Sequence, residues 1–378
     1  MQDLGERQMN HTAGTFRAII AGGGTGGHLF PGIAVAREIE KRFDHAEVLF
    51  VTGLRKMESE ILSRYGYHTV SIRVEGIKGR GWKKGLKVIS GLPGSFLQSV
   101  SLIKAFSPVF VLGVGGYASG PVCLAARMMG VPTAIHEQNA VPGLANRLLS
   151  RFVDCVFISF PESRPWLKGR RHVLSGTPVR EELFSGIPAK KPDSSRFTVL
   201  VVGGSQGAMA VNRAFAEALE ILESEGRHPH AIHQTGETDF ARVQEDYRKR
   251  GIRAELHPFI RDMAAAYHRA DLVVGRAGAS TIFELAALGK PSVLIPYPFA
   301  THGHQEMNAR CLVQAGAAEM IRQEELTGEC LAKVLTEFMN NPDRLKTMGI
   351  RALTIGRKDA AEVIVDHLLE TALAKKRT

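Results

Sequence analysis

Cysteine is scarce in this sequence, long apolar runs are missing, and one long stretch carries no negative charge at all. Each shortage excludes something. The four cysteines, Cys123, Cys155, Cys311 and Cys330, show no C-x-x-C spacing, which argues against a disulfide framework or a zinc site and for reduced thiols in a cytosolic compartment. No apolar run reaches the roughly 18–20 residues of a transmembrane helix. The opening segment MQDLGERQMNHTAG (residues 1–14) lacks an apolar stretch, so it reads as a disordered lead-in rather than a signal peptide. No P-loop sequence occurs.

What is present has a globular composition, 44% hydrophobic and 23% charged. At 378 residues the chain is too long for one ordinary core and suggests two domains. Short β-branched runs alternate with longer helical patterns. FRAIIAGG, AEVLFVTG, PVFVLGVGG, PTAIHEQ and DCVFISF read as strands of one half; FTVLVVGGS, HAIHQTG, DLVVGRAG and SVLIPYP read as strands of the other. Apolar strands separated by helices point to parallel sheets covered on both faces. The sequence also echoes itself: Phe16 to His28 lies over Phe197 to Met209 with the glycines at 22/203, 23/204 and 26/207 coinciding. Each half therefore opens with strand, glycine turn and helix, the start of a doubly wound sheet. We expect one domain over 15–179, a second over 180–357, and an amphipathic helix over 358–378 packed back on the first. At the last repeated position one copy has His28 and the other Met209, so the fold does not require a histidine there.

Glycine turns of this kind bring phosphate or a sugar against backbone N–H groups at a helix N-terminus. The first also fits G-x-G-x-x-G through Gly22, Gly24 and Gly27, but the second strand ends at Thr52 and Gly53 with no acidic residue for a ribose diol, which weakens a dinucleotide assignment. A further candidate is RAGASTIFELAALGKP, with a helix expected to start near Ser280 or Thr281. There Glu284 is either the partner of Thr281 in a capping box or an acceptor for a nucleotide ribose. His302 and His304 form an H-x-H pair without further spaced ligands, weak support for a metal.

The acid-free stretch runs from Glu75 to Glu137 and holds GIKGRGWKKGLK, followed by VISGLPGSFLQSVSLIKAF. One interpretation is a solvated basic loop and a partly buried helix. The other is a membrane-surface patch in which Lys78, Arg80, Lys83, Lys84 and Lys87 attract anionic headgroups while Trp82, Leu92, Phe96 and Leu97 insert. No pattern of nucleic-acid recognition accompanies it.

The ordered segments GGGTGGHLFPGIAVA, GGYASGP, HEQNAVPGLANR, GTPVR, GGSQGA, HQTG and RAGASTIFELAALGKP, followed by a glutamine and Asn-Ala, resemble the MurG family of bacterial glycosyltransferases, glycosyltransferase family 28, over roughly 300 residues. That resemblance implies an α/β GT-B fold, two Rossmann-like doubly wound domains facing a central cleft. It implies inverting transfer of GlcNAc from UDP-GlcNAc to the C4 hydroxyl of MurNAc in undecaprenyl-pyrophosphoryl-MurNAc-pentapeptide (lipid I), giving the β-1,4-linked lipid II. It further implies a peripheral enzyme on the cytoplasmic face of the inner membrane, with anionic phospholipids and cell-wall elongation or division proteins as partners and no nucleic acid.

For the site, the resemblance points to His28 as the base, with His136 and Glu137 as competitors. Thr25, Gly26, Gly27, Asn139, Arg180, Ser205, Ile260, Ala279, Ser280, Thr281, Ile282, Phe283, Glu284 and Gln305 fall on the donor, Ile260 reading uracil through its backbone and Glu284 holding the ribose. Gly115, Gly116, Tyr117, Ser119 and His136 fall on the acceptor. No Asp-x-Asp pair occurs, so no cofactor is expected to be required, with Mg²⁺ at most a stimulant. His302 and His304 depart from the family pattern before Gln305. Three alternatives remain: a non-hydrolysing UDP-GlcNAc 2-epimerase, another UDP-sugar transferase of the same fold, and a non-catalytic nucleotide-sugar-binding membrane adaptor.

Overall fold

In this computed structural model, residues 15–24, 26–74, 81–169, 171–184, 196–204 and 207–376 are described, with the backbone alone for 26, 81–92 and 376. The chain divides into two compact units, residues 1–180 with 358–378, and residues 181–357. Each is built on its own parallel sheet.

The first sheet contains β1 (Phe16–Gly22), β2 (Ala46–Thr52), β3 (His68–Ser71), β4 (Phe110–Gly115), β5 (Thr133–Glu137), β6 (Cys155–Ile158) and β7 (His172–Leu174) in the order β3-β2-β1-β4-β5-β6-β7. The second contains β8 (Thr198–Val202), β9 (His230–Gln234), β10 (Glu255–His257), β11 (Leu272–Gly275), β12 (Ser292–Leu294) and β13 (Glu319–Met320), ordered β10-β9-β8-β11-β12-β13. In both, the first strand is central and the winding reverses beside it, between β1 and β4 and between β8 and β11. Ligands of such sheets sit at this switch point, beyond the carboxyl ends of the strands. The repeated glycine turns follow β1 and β8.

Helices cover both faces. In the first unit they are α1 (Gly26–Arg42), α2 (Lys56–Arg64), α3 (Gly81–Phe106), α4 (Ser119–Met128) and α5 (Leu144–Leu149). The second unit has α6 (Met209–Ser224), α7 (Phe240–Arg250), α8 (Met263–Arg269), α9 (Ala279–Ala287), α10 (His304–Gln314), α11 (Gly328–Asn340) and α12 (Pro342–Ile355). The chain then returns as α13 (Ala360–Lys376), whose Ile364, Val365, Leu368 and Leu369 share one buried cluster with Ile20, Leu29, Ile33, Leu112 and Phe157. Arg42 on α1 bridges Glu38 (2.6 Å) and Asp366 of α13, and Lys375 Nζ meets Asp154 at 2.7 Å. The last helix is thus part of the first unit's core.

Two local expectations change. The basic run is helix rather than loop: Trp82, Lys83, Lys84 and Lys87 lie on the first turns of α3, which continues through Pro93. Their side chains, and the whole of Lys78 and Arg80, fall outside the described residues, as do residues 1–14. Phe96 is half-buried and packs against the sheet's other core cluster, whereas Leu97 is 64% exposed. Phe96 is therefore a packing residue. Cys123 and Cys155 are buried, and burial pushes their thiols up to about 12 and about 11.

Candidate active site

The carboxyl ends of β1 and β4 bring two glycine turns into contact. Gly23 N–H donates to Gly115 O at 3.2 Å. Gly115 and Gly116 have φ of +99° and +82°, a region that favours glycine. A Cβ on Gly116 would lie 2.2 Å from Gly23 O, and one on Gly115 would lie 2.7 Å from His28 Nδ1. The second turn is thus shaped to let the first turn, and the histidine behind it, come close. His28 sits half-buried on the first turn of α1, which carries no acidic residue. The positive end of its dipole favours an anion.

Glu58 of α2, 2% exposed, lies beneath the first turn. Gly24 N–H donates to its Oε1 (2.6 Å) and Gly53 N–H to its Oε2 (3.1 Å), while Arg55 Nη1 donates to Gly24 O (3.1 Å). A Cβ on Gly23 would lie 2.5 Å from Glu58 Oε2. This carboxylate holds the turn's backbone, and the sequence analysis missed it. The available signal was an acidic residue at i−4 from the buried Leu62, on the helix's inner face.

The HEQN segment at the end of β5 is internal wiring. Glu137 accepts four hydrogen bonds: from Asn139 N–H (2.9 Å) and Asn139 Nδ2 (3.1 Å) at Oε1, and from Gly143 N–H (3.1 Å) and Asn146 Nδ2 (2.8 Å) at Oε2. With its acceptor sites spent on its own loop, Glu137 is a scaffold residue and not a proton acceptor. His136 is 1% exposed and pairs with Gly176 O and Gln138 rather than offering a surface to an acceptor. Ser119 is also fully buried. Its Oγ accepts Gly115 N–H (3.1 Å) and donates to Ala21 O (2.7 Å), tying β1 to β4. Of the acceptor-side candidates, Gly115 is buried at the end of β4, and only the half-buried Gly116 and the 46%-exposed Tyr117 reach the surface of the turn. Arg180 belongs to the first unit, its guanidinium 4.5 Å from the Phe30 ring centroid. Thr25 lies outside the described residues.

In the second unit the N-termini of α6 and α9 follow the adjacent strands β8 and β11, and neither has an acidic residue in its first turn. Helix α9 begins at Ala279 on Gly278, earlier than expected. Thr281 is therefore inside the helix and cannot form the capping box with Glu284. Glu284 instead points to Tyr267, whose hydroxyl donates to Oε2 at 3.0 Å. Ile282 and Phe283 are buried on the inner face of α9, so only the backbone of these two is suited to a ligand. Gln305 Oε1 accepts Tyr297 N–H at 2.9 Å, which anchors the loop ahead of α10. Of the two backbone groups of Ile260 expected to face uracil, the N–H donates to Gln234 Oε1 at 2.9 Å. Ser205 is outside the described residues. Gly207 has φ of +80° and packs on Thr235 O, so the second glycine turn rests on the HQTG loop.

Comparison with known proteins follows these two switch points. The model of the glycosyltransferase family 28 N-terminal domain matches residues 18–158, and that of the C-terminal domain matches 198–364. The chain belongs to glycosyltransferase family 28. It is 47% identical over 355 residues to a UDP-N-acetylglucosamine–N-acetylmuramyl-(pentapeptide) pyrophosphoryl-undecaprenol N-acetylglucosamine transferase of Syntrophus aciditrophicus, covering 94% of this chain and 98% of the relative. The crystal structure of Acinetobacter baumannii MurG aligns with a TM-score of 0.78 at 31% identity, covering 94% of this chain and 99% of that one. A UDP-GlcNAc 2-epimerase from Neisseria meningitidis aligns at 13% identity with a TM-score of 0.65, covering 94% and 100%, which shows a shared fold alone. As a family 28 member the chain is a glycosyltransferase of the GT-B class.

Both halves of this family 28 chain bury a neutral histidine behind the site. Burial lowers the pKa of His136 to about 4 and that of His233 to about 3. Unfolding returns each to its ordinary value near 6.5, so below that pH the unfolded chain binds protons the folded one refuses. Stability is complete above about pH 6.5 and falls as pH drops toward 4, by roughly 2 kcal/mol per histidine at pH 5. Urea unfolding at a series of pH values measures it, and a midpoint unchanged between pH 7.5 and about pH 5 would contradict it.

Proposed function

We propose that this glycosyltransferase moves GlcNAc from UDP-GlcNAc to the C4 hydroxyl of MurNAc in lipid I, forming lipid II with inversion. The carrying observation is the placement of His28, a half-buried imidazole on an acid-free helix N-terminus where two glycine turns meet. In the reaction His28 takes the proton of the C4 hydroxyl as that oxygen bonds to C1 of GlcNAc. The bond from C1 to the diphosphate oxygen breaks, and its electron pair leaves with UDP. On the donor side, the α9 amides around Ala279, Ser280 and Thr281 and the second glycine turn with Ser205 receive the diphosphate. Glu284, held by Tyr267, meets the ribose, and Gln305 meets the sugar hydroxyls. Asn139 and Arg180 assist the donor, Thr25, Gly26 and Gly27 approach its sugar and phosphates, and Gly115, Gly116 and Tyr117 receive the acceptor's pyrophosphate. No step in this scheme needs a metal, with Mg²⁺ a stimulant at most.

Radiolabelled UDP-GlcNAc supplied with and without a lipid I analogue tests this scheme. It predicts UDP release only with acceptor, and label in a disaccharide lipid. Label appearing in a free sugar epimer without acceptor would favour the epimerase instead.

A lipid acceptor places the work at a membrane surface, and we assign the enzyme to the cytoplasmic face of the inner membrane, alongside the proteins of cell-wall elongation or division. No helix among the described residues is long and apolar enough to cross a membrane. Support for a peripheral contact comes from the acid-free segment and from apolar side chains left in solvent: Leu97, Met128 (71% exposed) and Phe152, the last tied to α4 by Arg127 Nε donating to its carbonyl at 2.9 Å. Charge reversal of Lys83, Lys84 and Lys87 is expected to weaken binding to anionic vesicles by roughly 1 kcal/mol per residue. Turnover of a water-soluble acceptor analogue should be nearly unaffected. Equal losses with lipid and soluble acceptors would remove the membrane role.

A further inference from the structure

A line of hydrogen bonds runs through the first unit from the end of β6 to His28, and its directions are set by groups that can only accept. Gly176 O lies 3.0 Å from His136 Nε2. A carbonyl has no proton to give, so Nε2 of His136 carries the hydrogen. His136 is buried and neutral, and a neutral imidazole has a single N–H. Its Nδ1 is therefore a lone pair. Gln138 Nε2 lies 3.1 Å from that lone pair and 2.8 Å from Val114 O. Both partners are acceptors, so the amide nitrogen must face them, and both of its hydrogens are used. That orientation leaves Gln138 Oε1 toward His28 Nδ1, 3.2 Å away. An amide oxygen only accepts, so the proton in this last bond belongs to His28 Nδ1.

We propose that Gln138 is a positioning residue that fixes His28 in the Nδ1–H tautomer and leaves its Nε2 as the basic atom. Isolated histidine side chains favour the opposite tautomer, in which Nε2 holds the hydrogen and cannot accept a proton. The partner of one ring nitrogen decides the state of the other. Gln138 is 1% exposed, and behind it the His136 Nε2–H that faces Gly176 O is shared with Ser159 Oγ (3.2 Å), itself 2.7 Å from Thr177 Oγ1. The orientation of the amide is thus locked by the backbone of β4 and by the turn at Gly176. This assignment rests on His28 being the base, but the tautomer it specifies exists whether or not the enzyme is turning over.

The test is a two-bond proton–nitrogen correlation spectrum of the full-length chain labelled with ¹⁵N-histidine, at about pH 8, where an ordinary histidine is neutral. The His28 signals are identified by their loss in His28→Ala. The expected result is a protonated Nδ1 and an unprotonated Nε2 in the unaltered protein. Gln138→Met keeps the side chain's length and removes donor and acceptor together. It is expected to move His28 toward the Nε2–H form and to lower kcat by roughly tenfold, part of what a general base contributes, with KM for UDP-GlcNAc unchanged. A pure packing role for Gln138 would leave the nitrogen signature as it was. An Nε2–H signature in the unaltered protein, or an unchanged signature in Gln138→Met, overturns the proposal. The spectrum of the unaltered protein decides even if the variant fails to fold. Failure of the base assignment has a different mark, a near-normal rate in His28→Ala.

Discussion

Replacing His28 with alanine is expected to lower kcat by about 10² to 10⁴, the range a positioned general base contributes, while leaving the affinity for UDP-GlcNAc unchanged. The argument begins with the internal repeat. The same turn in the second unit ends in Met209, so strand, glycine turn and helix form without a histidine. His28 also adds little to the core. It is half-buried, its ring rests on Gly115, and its side chain hydrogen-bonds to Gln138 at 3.2 Å. A loss of rate without a matching loss of stability would therefore locate its role in the proton transfer. Steady-state kinetics with a saturating lipid I analogue, beside UDP-GlcNAc titration and thermal unfolding of the variant, separate the cases. A rate within a few-fold of normal would make His28 a hydrogen-bonding neighbour of the phosphates.

Gly116→Ala is expected to cost at least about 2 kcal/mol of stability and most of the activity. A left-handed backbone costs an alanine roughly 1–2 kcal/mol by itself. Here the added Cβ also meets Gly23 O at 2.2 Å, a backbone atom of the first turn. The clash cannot be relieved by a rotamer. One of the two turns must move, and Gly23 and Gly24 are held from below by Glu58. The displaced turn belongs to the proposed active site, so a loss of kcat should accompany the lower unfolding temperature. An alanine variant with normal melting and normal kcat would show that the contact between the turns is not required. Gly120, where a Cβ meets nothing within 4 Å, is the control in the same segment.

The architecture was legible because the central strands are apolar on both faces and because the repeat marks the opening strand of each sheet. The four strands that escaped, β3 (HTVS), β7 (HVL), β10 (ELH) and β13 (EM), are the four sheet edges. An edge strand pairs on one side only and is short. Its polar residues then carry no alternating signal. Site residues divided along a similar line. The glycines and His28 stood out because a turn needs special backbone or a functional group. Gln138 and Glu58 did not, since each acts on a group far away in sequence: Gln138 on Val114 and His28, Glu58 on Gly24. Glu137 misled for the complementary reason. A carboxylate in a polar loop looks available until its four donors are seen. The capping box between Thr281 and Glu284 failed because Gly278 is the N-cap and the helix starts at Ala279, which leaves Thr281 inside it. The contact of Gln234 on β9 with the Ile260 N–H was likewise invisible, since the two are far apart in sequence.

The most direct test of direct displacement by a single base is the configuration and position of the bond it makes. Donor labelled with ¹³C at C1 of GlcNAc, incubated with the enzyme and a lipid I analogue, gives a product whose one-bond carbon–proton coupling reports the anomer. Its long-range correlation reports the linked oxygen. A β anomer joined to O4 of MurNAc, formed from the α-linked donor, is the predicted result. An α anomer, or a linkage at another hydroxyl, would contradict a single inverting step assisted by His28.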